Sequence, residues 1–240
     1  MKKLLIASTS TVHGKAYLEY ILPELKVFFK DVDTILFIPF ARPSGLTHDE
    51  YTDKVRNVFS TINIKVNGLH SFENQQEALK NAKGIFTGGG NTFVLVNELY
   101  KRNVLDTLRD VVESGVPYFG TSAGSNIAGI TMMNTNDMPI VYPPSFVTLG
   151  FLNFNINPHY LDPDPNSTHM GETRETRIKE YHFFNKIPVL GLREGSWIAV
   201  EGDKINLKGD LKARLFLQGN EPTELDSGSD LSKIEYVHLP

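Results

Sequence analysis

The chain has 240 residues, 40% of them hydrophobic, enough for one large domain with a full core. Its formal net charge of −4, with basic residues scattered, gives no footprint for nucleic acid or an anionic membrane surface. The absence of cysteine excludes disulfides, thiolate metal sites and a cysteine nucleophile at once.

The apolar start at residues 4–7 stops at polar Ser8, Thr9 and Ser10, so it reads as a buried strand and not as a signal peptide. No later apolar run approaches the roughly 20 residues a bilayer-crossing helix needs, and a soluble, cytoplasmic protein is expected. Further strands are expected at residues 35–39, 64–69, 84–86 and 116–119. Between them come helices at 14–29, from the capping box Thr47-His48-Asp49-Glu50 to about 62, at 74–81, 93–100 and 104–114. Such alternation builds an α/β fold, a mostly parallel, doubly wound sheet with helices on both faces. After Ile130, prolines 139, 143, 144, 158, 163 and 165 break any long helix, and loops and short strands take over, with a strand-like run at 151–156. A helix at 174–183 and strands at 189–192 and 197–200 follow. Runs at 205–207, 215–217 and 234–238, with turns at Gly202-Asp203 and Gly209-Asp210, predict a C-terminal β-meander. With no repeat or linker, residues 1–240 read as a single catalytic domain.

The chemistry centres on Gly120-Thr121-Ser122-Ala123-Gly124, between the apolar residues 116–119 and a small-residue helix start. A serine at such a strand-to-helix turn is lifted clear of the sheet, the arrangement of a nucleophile elbow. The bare pattern arises by chance in roughly one chain in ten of this length, so its context carries the reading. A glycine-rich connection without chemistry is the competing one. A serine needs a base and a group to orient that base. Of seven histidines, His13, His48, His70 and His182 lie in or beside helices or early loops, which leaves His159, His169 and His238. His159, in Asn157-Pro158-His159-Tyr160 after a strand-like run, is the best base. Glu194 ends the strand at 189–192, where this architecture keeps its ligands, and is the candidate third member. A solvated turn glutamate beside Arg193 is the alternative.

Gly88-Gly89-Gly90 fails as a dinucleotide fingerprint, since Phe93 stands where glycine is required and no Walker lysine follows. As an oxyanion hole it works, with the N–H of Ala123 as the second donor. No metal-ligand spacing stands out, and no cofactor is expected. Asp162 and Asp164 read as loop solvation. Arg174 and Arg177, flanked by glutamates, read either as solvated helix pairs or as substrate cations.

Six motifs together give a resemblance across nearly the whole chain: Gly88-Gly89-Gly90-Asn91-Thr92-Phe93, Ser122-Ala123-Gly124-Ser125-Asn126, Thr135-Asn136-Asp137-Met138-Pro139-Ile140, Asn157-Pro158-His159, Gly171-Glu172-Thr173-Arg174-Glu175 and Glu194-Gly195-Ser196-Trp197. In order and spacing they resemble the peptidase E family of aspartyl dipeptidases. The resemblance implies a serine exopeptidase that removes an N-terminal aspartate from Asp-X dipeptides, on a class I glutamine amidotransferase-like fold. Carried onto matching positions, it makes Ser122 the nucleophile, His159 the base and Glu194 the orienting acid, with Gly89 or Gly90 and Ala123 holding the oxyanion. It also implies that the motif at 171–175 supplies a cation for the aspartate side chain, Arg174 or one turn later Arg177. Asp137, Glu172 and Glu175 are the candidates for the free α-amino group. Thr121 and Ser125 are positions where variation is expected. Two other readings compete: a cyanophycinase-like hydrolase of β-linked aspartyl-arginine, and a non-catalytic binder of a small acidic ligand. Monomer and homodimer are both left open.

Overall fold

The computed structural model describes residues 1–164, 166, 168 and 170–234. Strands β1 (Lys3–Ala7), β2 (Thr34–Ile38), β3 (Lys65–Gly68), β4 (Ile85–Thr87) and β5 (Tyr118–Thr121) lie parallel in the order β3-β2-β4-β5-β1. Parallel neighbours need crossovers, and α1 (Leu22–Phe28), α2 (His48–Ser60), α3 (Gln75–Lys80), α4 (Thr92–Lys101) and α5 (Leu105–Glu113) stand between the strands. The period-2 alternation of each strand divides the core into two layers. Leu5, Ile35, Phe37, Phe86 and Phe119 point into one, where Leu25 of α1 and Tyr51, Val55 and Phe59 of α2 cover them. Leu4, Ile6, Leu36, Ile38, Ile85 and Tyr118 point into the other, under Leu95, Leu99, Leu108 and Val112 of α4 and α5. Each fully buried Leu, Ile or Phe contributes about 1.5–3 kcal/mol, so both faces are strongly determined.

The capping box that opens α2 is complete: the Thr47 hydroxyl accepts from the Glu50 N–H at 3.2 Å, and the Glu50 carboxylate accepts from the Thr47 N–H at 2.8 Å. The helix expected over residues 14–29 is shorter. Leu18 is left-handed, at φ 59°, which an α-helix cannot run through, so only a 3₁₀ turn (Glu19–Ile21) precedes α1. Pro23 sits in the first turn of α1, where it starts the helix.

A second sheet supplies the other half of the site. The strand expected at 151–156 begins later, as β6 (Asn155–Pro158), because Phe151, Leu152 and Phe154 are packed into the core as irregular chain. After α6 (Ala123–Asn126) and α7 (Arg174–Phe184) come β7 (Val189–Leu192), β8 (Ser196–Glu201), β9 (Lys204–Gly209), β10 (Ala213–Phe216) and β11 (Thr223–Leu225). The C-terminal strands do not stay in one meander. The β8–β9 hairpin pairs antiparallel with β1 and extends the main sheet, while β10 and β11 join β7 and β6 in a separate four-stranded sheet. Alternation tells which side of a strand is buried but not which sheet it joins. The run at 234–238 lies outside the described residues beyond Ile234, and so do His169 and His238. Among the described residues no helix is long and apolar enough to cross a membrane.

Candidate active site

Ser122 stands between β5 and α6 at φ 53° and ψ −113°, a conformation that L-residues rarely hold without support. The support is backbone packed against backbone. A Cβ on Gly120 would lie 2.5 Å from the Gly124 carbonyl oxygen, and one on Gly124 would lie 2.2 Å from that of Thr87. Both glycines of the motif are therefore required by close approach. The carbonyl of Ala7, at the end of β1, accepts from the Ser122 N–H at 3.3 Å and from the Ser125 hydroxyl at 2.6 Å. Ser125 thus has a structural task that its place in the motif did not announce.

His159 directly follows β6 and is also left-handed, at φ 56°. Its backbone N–H donates to the Ser8 hydroxyl at 2.9 Å, and that hydroxyl donates to the Leu192 carbonyl at 2.6 Å. Asn136 and Asn157 bind the strand end just ahead of it: Asn157 Nδ2 donates to the Asn134 carbonyl at 2.9 Å, and Asn136 Nδ2 to that of Pro158 at 3.0 Å. Held in this way, the imidazole lies between the other two groups. Its Nε2 is 2.8 Å from Ser122 Oγ, and its Nδ1 is 2.6 Å from Glu194 Oε1. A proton on Nδ1, donated to the carboxylate, leaves Nε2 free to accept from the serine.

Glu194 belongs to the turn Arg193-Glu194-Gly195, which takes the chain from β7 in one sheet to β8 in the other. Gly195 is at φ +96°, as the tight connection requires. Arg193 anchors the turn with both edges of its guanidinium. Asp162 accepts two bonds, at 2.8 and 2.7 Å, Glu224 accepts two at 2.9 Å, and the Lys212 carbonyl accepts one at 2.8 Å. These hydrogen bonds push the guanidinium pKa up and pull both carboxyls down. Glu224 also accepts from Arg214, which pairs in turn with Glu175 at 2.9 Å.

The glycine run 88–90 abuts the elbow: a Cβ on Gly89 would lie 2.8 Å from Ser122 Cβ. Of the two glycines expected to offer an oxyanion donor, Gly89 is already engaged. Its N–H donates to the buried Tyr51 hydroxyl at 3.0 Å, and that hydroxyl donates back to the Gly89 carbonyl at 3.3 Å. Gly90 is at φ +149°, with the Ala41 carbonyl oxygen 2.2 Å from where a Cβ would be. Among the described residues, neither the Gly90 nor the Ala123 N–H has an acceptor.

The five expected substrate residues are not equivalent. Arg174, in the first turn of α7, is half-buried, and its guanidinium has no hydrogen bond or ion pair among the described residues. Burial pulls its pKa down, the nearby Arg177 charge acts in the same sense, and Asp137 acts against both. Arg177 is more exposed and lies 3.6 Å from Glu172. Glu175 is held by Lys179 at 2.8 Å and by Arg214. Asp137 accepts through Oδ2 from the Thr92 N–H at 2.7 Å and from the Thr135 hydroxyl at 3.2 Å, next to the positive end of α4.

The chain is similar to known proteins over nearly its whole length. The sequence model described as peptidase family S51 matches residues 4–208. "Peptidase E" of Streptomyces coelicolor is 48% identical over 231 residues, covering 96% of this chain and 94% of that protein. "Probable alpha-aspartyl dipeptidase" of Drosophila melanogaster is 45% identical over 234 residues, 96% of each chain. Among solved structures, a peptidase from an acI-B1 Actinobacterium superposes with a TM-score of 0.71 at 17% identity, over 96% of both chains. At that identity the likeness speaks for the fold alone.

Proposed function

Since the chain belongs to peptidase family S51, we propose that it is a serine exopeptidase that hydrolyses dipeptides with an N-terminal aspartate, and that residues 1–240 act as one catalytic domain working in the cytoplasm. The observation that carries this reading is the continuous hydrogen-bonded line from Ser122 Oγ through His159 to Glu194, at 2.8 and 2.6 Å. The names of the relatives, peptidase E and alpha-aspartyl dipeptidase, support the choice of substrate.

Ser122 attacks the scissile carbonyl as His159 Nε2 takes its proton. Glu194 holds the tautomer and stabilises the imidazolium. The negative oxygen of the tetrahedral intermediate is received by the N–H groups of Gly90 and Ala123, each worth about 2.7–4 kcal/mol in such a transition state. The imidazolium returns its proton to the leaving amine, and water, activated by the same base, then releases the aspartate from Ser122.

An aspartate side chain beside the scissile bond brings a second negative charge near the developing oxyanion, so a fixed cation is needed there. Arg174 fits, having a planar fork that takes a carboxylate bidentately and no competing partner among the described residues. For the free α-amino group Asp137 is the best carboxylate. Glu175 is spent on two cations and Glu172 faces Arg177, whereas Asp137 Oδ1 has no hydrogen-bond partner among the described residues.

The test is kcat/KM over Asp-Leu, Glu-Leu, Asn-Leu and acetyl-Asp-Leu, with Ser122→Ala as the control. Fast turnover of Asp-Leu, little of the others and none with the variant is expected. Equal turnover of Asn-Leu, or preference for a β-linked aspartyl-arginine dipeptide, would overturn the substrate assignment.

A further inference from the structure

The capping box of α2 and the glycine run after β4 are far apart in sequence, and the Tyr51 hydroxyl joins them. Tyr51 is the fourth residue of α2 and is 1% exposed. Its ring packs edge-on against Phe37 of β2, with centroids 4.9 Å apart, and the Arg42 guanidinium lies over its face at 4.8 Å. The hydroxyl is in effect wrapped around one residue: it accepts from the Gly89 N–H at 3.0 Å and donates to the Gly89 carbonyl at 3.3 Å. The hydroxyl is also packed on the run itself: a Cβ on the neighbouring Gly88 would lie 2.5 Å from the same oxygen.

From this geometry we infer that Tyr51 is a positioning residue for the oxyanion hole: its hydroxyl fixes Gly89 from both sides, and so aims the next N–H, that of Gly90, at the oxygen that becomes negative when Ser122 attacks. A run of three glycines has more conformational freedom than any other tripeptide, and a donor contributes to a transition state only if it is already oriented. Something must remove that freedom. On one side the Ala41 carbonyl does so, limiting Gly90 sterically and accepting from the Asn91 N–H at 2.7 Å. On the other side Tyr51 is the sole side-chain partner of the run among the described residues. The sequence of causes is then explicit. The Thr47–Glu50 box fixes where α2 starts, that start places Tyr51 over the end of β4, and the hydroxyl sets the peptide planes that face Ser122.

This inference rests on the serine-peptidase reading above, and the experiment separates the two. Tyr51→Phe keeps the ring, its contact with Phe37 and the helix, and removes only the hydroxyl. Three quantities are compared with wild type: kcat and KM for Asp-Leu, the rate at which a serine-directed aspartyl phosphonate labels Ser122, and the midpoint of thermal unfolding. We expect kcat to fall by about 10- to 10³-fold with KM within about twofold, in line with loss of an oxyanion donor. Phosphonate labelling, which passes through the same charged geometry, should slow by the same factor, while the folded state persists at the assay temperature. A Tyr51→Phe enzyme with wild-type kcat and labelling rate would overturn the inference and leave the serine-peptidase reading intact. A loss carried by KM alone would also overturn it, since it would mean that Tyr51 shapes ground-state binding. A wild-type protein that neither turns over Asp-Leu nor is labelled at Ser122 would remove the reading and this inference together.

Discussion

The glycine run 88–90 and the turn 193–195 both sit at strand ends and both bear on Ser122, yet among the described residues the groups hydrogen-bonded to the first are uncharged and the second is tied down by ion pairs. Around Gly89 and Gly90 the contacts are a phenol, a carbonyl and the side chain of Ser122 itself. Around Arg193 they are Asp162 and Glu224, continued through Arg214 to Glu175 at the start of α7. The difference follows the chemistry of each side. Near the glycine run, the Arg42 cation lies against the face of the Tyr51 ring, 4.8 Å from its centroid, and not on the glycine backbone. On the other side, in the mechanism proposed above, a carboxylate orients an imidazole and a cation receives a carboxylate, and ion pairs hold both supporting segments.

The largest break comes at the point where the two sides meet. Ser122→Ala should lower kcat by about 10⁶, His159→Ala by a similar amount, and the double variant by no more than either alone, because the residues act as a unit. Additive losses in a steady-state assay would contradict a shared mechanism. On the charged side, Glu194→Gln should cut kcat by about 10³–10⁴ with KM nearly unchanged, since an amide can hold the ring but cannot stabilise the imidazolium. Full activity in that variant would reduce Glu194 to a turn residue.

Next in size, Arg174→Ala should reduce kcat/KM for Asp-Leu by roughly 10²–10⁴ and affect Asn-Leu much less, because it leaves a desolvated carboxylate without its partner. Arg174→Lys should recover only part of the loss. Equal losses on both substrates would mean a structural role, and a selective loss in Arg177→Ala alone would move the specificity one turn along α7.

The smallest effect sharpens the contrast in stability. Glu224→Gln should lower the unfolding midpoint by roughly 2–4 °C, corresponding to about 1 kcal/mol at this chain length. The sign with pH is fixed by the direction of the shifts. Arg193 holds the carboxyls of Asp162 and Glu224 below their ordinary values. Their contribution is therefore complete only above the ordinary carboxyl range, at about pH 5 and higher, and is lost as pH falls through the lower folded-state values. Melting curves from pH 7 to pH 3 should converge for wild type and Glu224→Gln on the acid side; a gap that widens there would refute the assignment. Raising salt should narrow the gap at neutral pH.

What could be read from the sequence was what is local. The elbow, the Thr47–Glu50 box and the alternation of the five parallel strands each depend on residues within a few positions of one another. His159 and Glu194 were legible as strand-end residues and through the resemblance, not through their mutual distance. Ser8 and Tyr51 were not legible, because the carbonyl and the N–H they bind lie 184 and 38 residues away. Arg193 was visible only as a neighbour of Glu194, its partners Asp162 and Glu224 each being 31 residues distant. The left-handed Leu18 defeated the helical period at 14–29 for a related reason: one backbone angle that no side-chain pattern encodes ended the element. Of the glycine run, composition told that the backbone was close to something, but not that two of its N–H groups, those of Gly88 and Gly89, were already in use.

The place of β1 bears on when, during synthesis, this protein becomes a peptidase. The site closes upon β1: Ala7 holds the elbow, and Ser8 holds the backbone of His159 and the end of β7. β1 lies between β5 and β8, and β8 spans residues 196–201. A growing chain that has emerged only as far as α7 already contains Ser122 and His159, but it lacks both Glu194 and the antiparallel neighbour that completes the bed of β1. A chain ending before Glu194 therefore has neither the complete Ser122–His159–Glu194 line nor the antiparallel cover of β1.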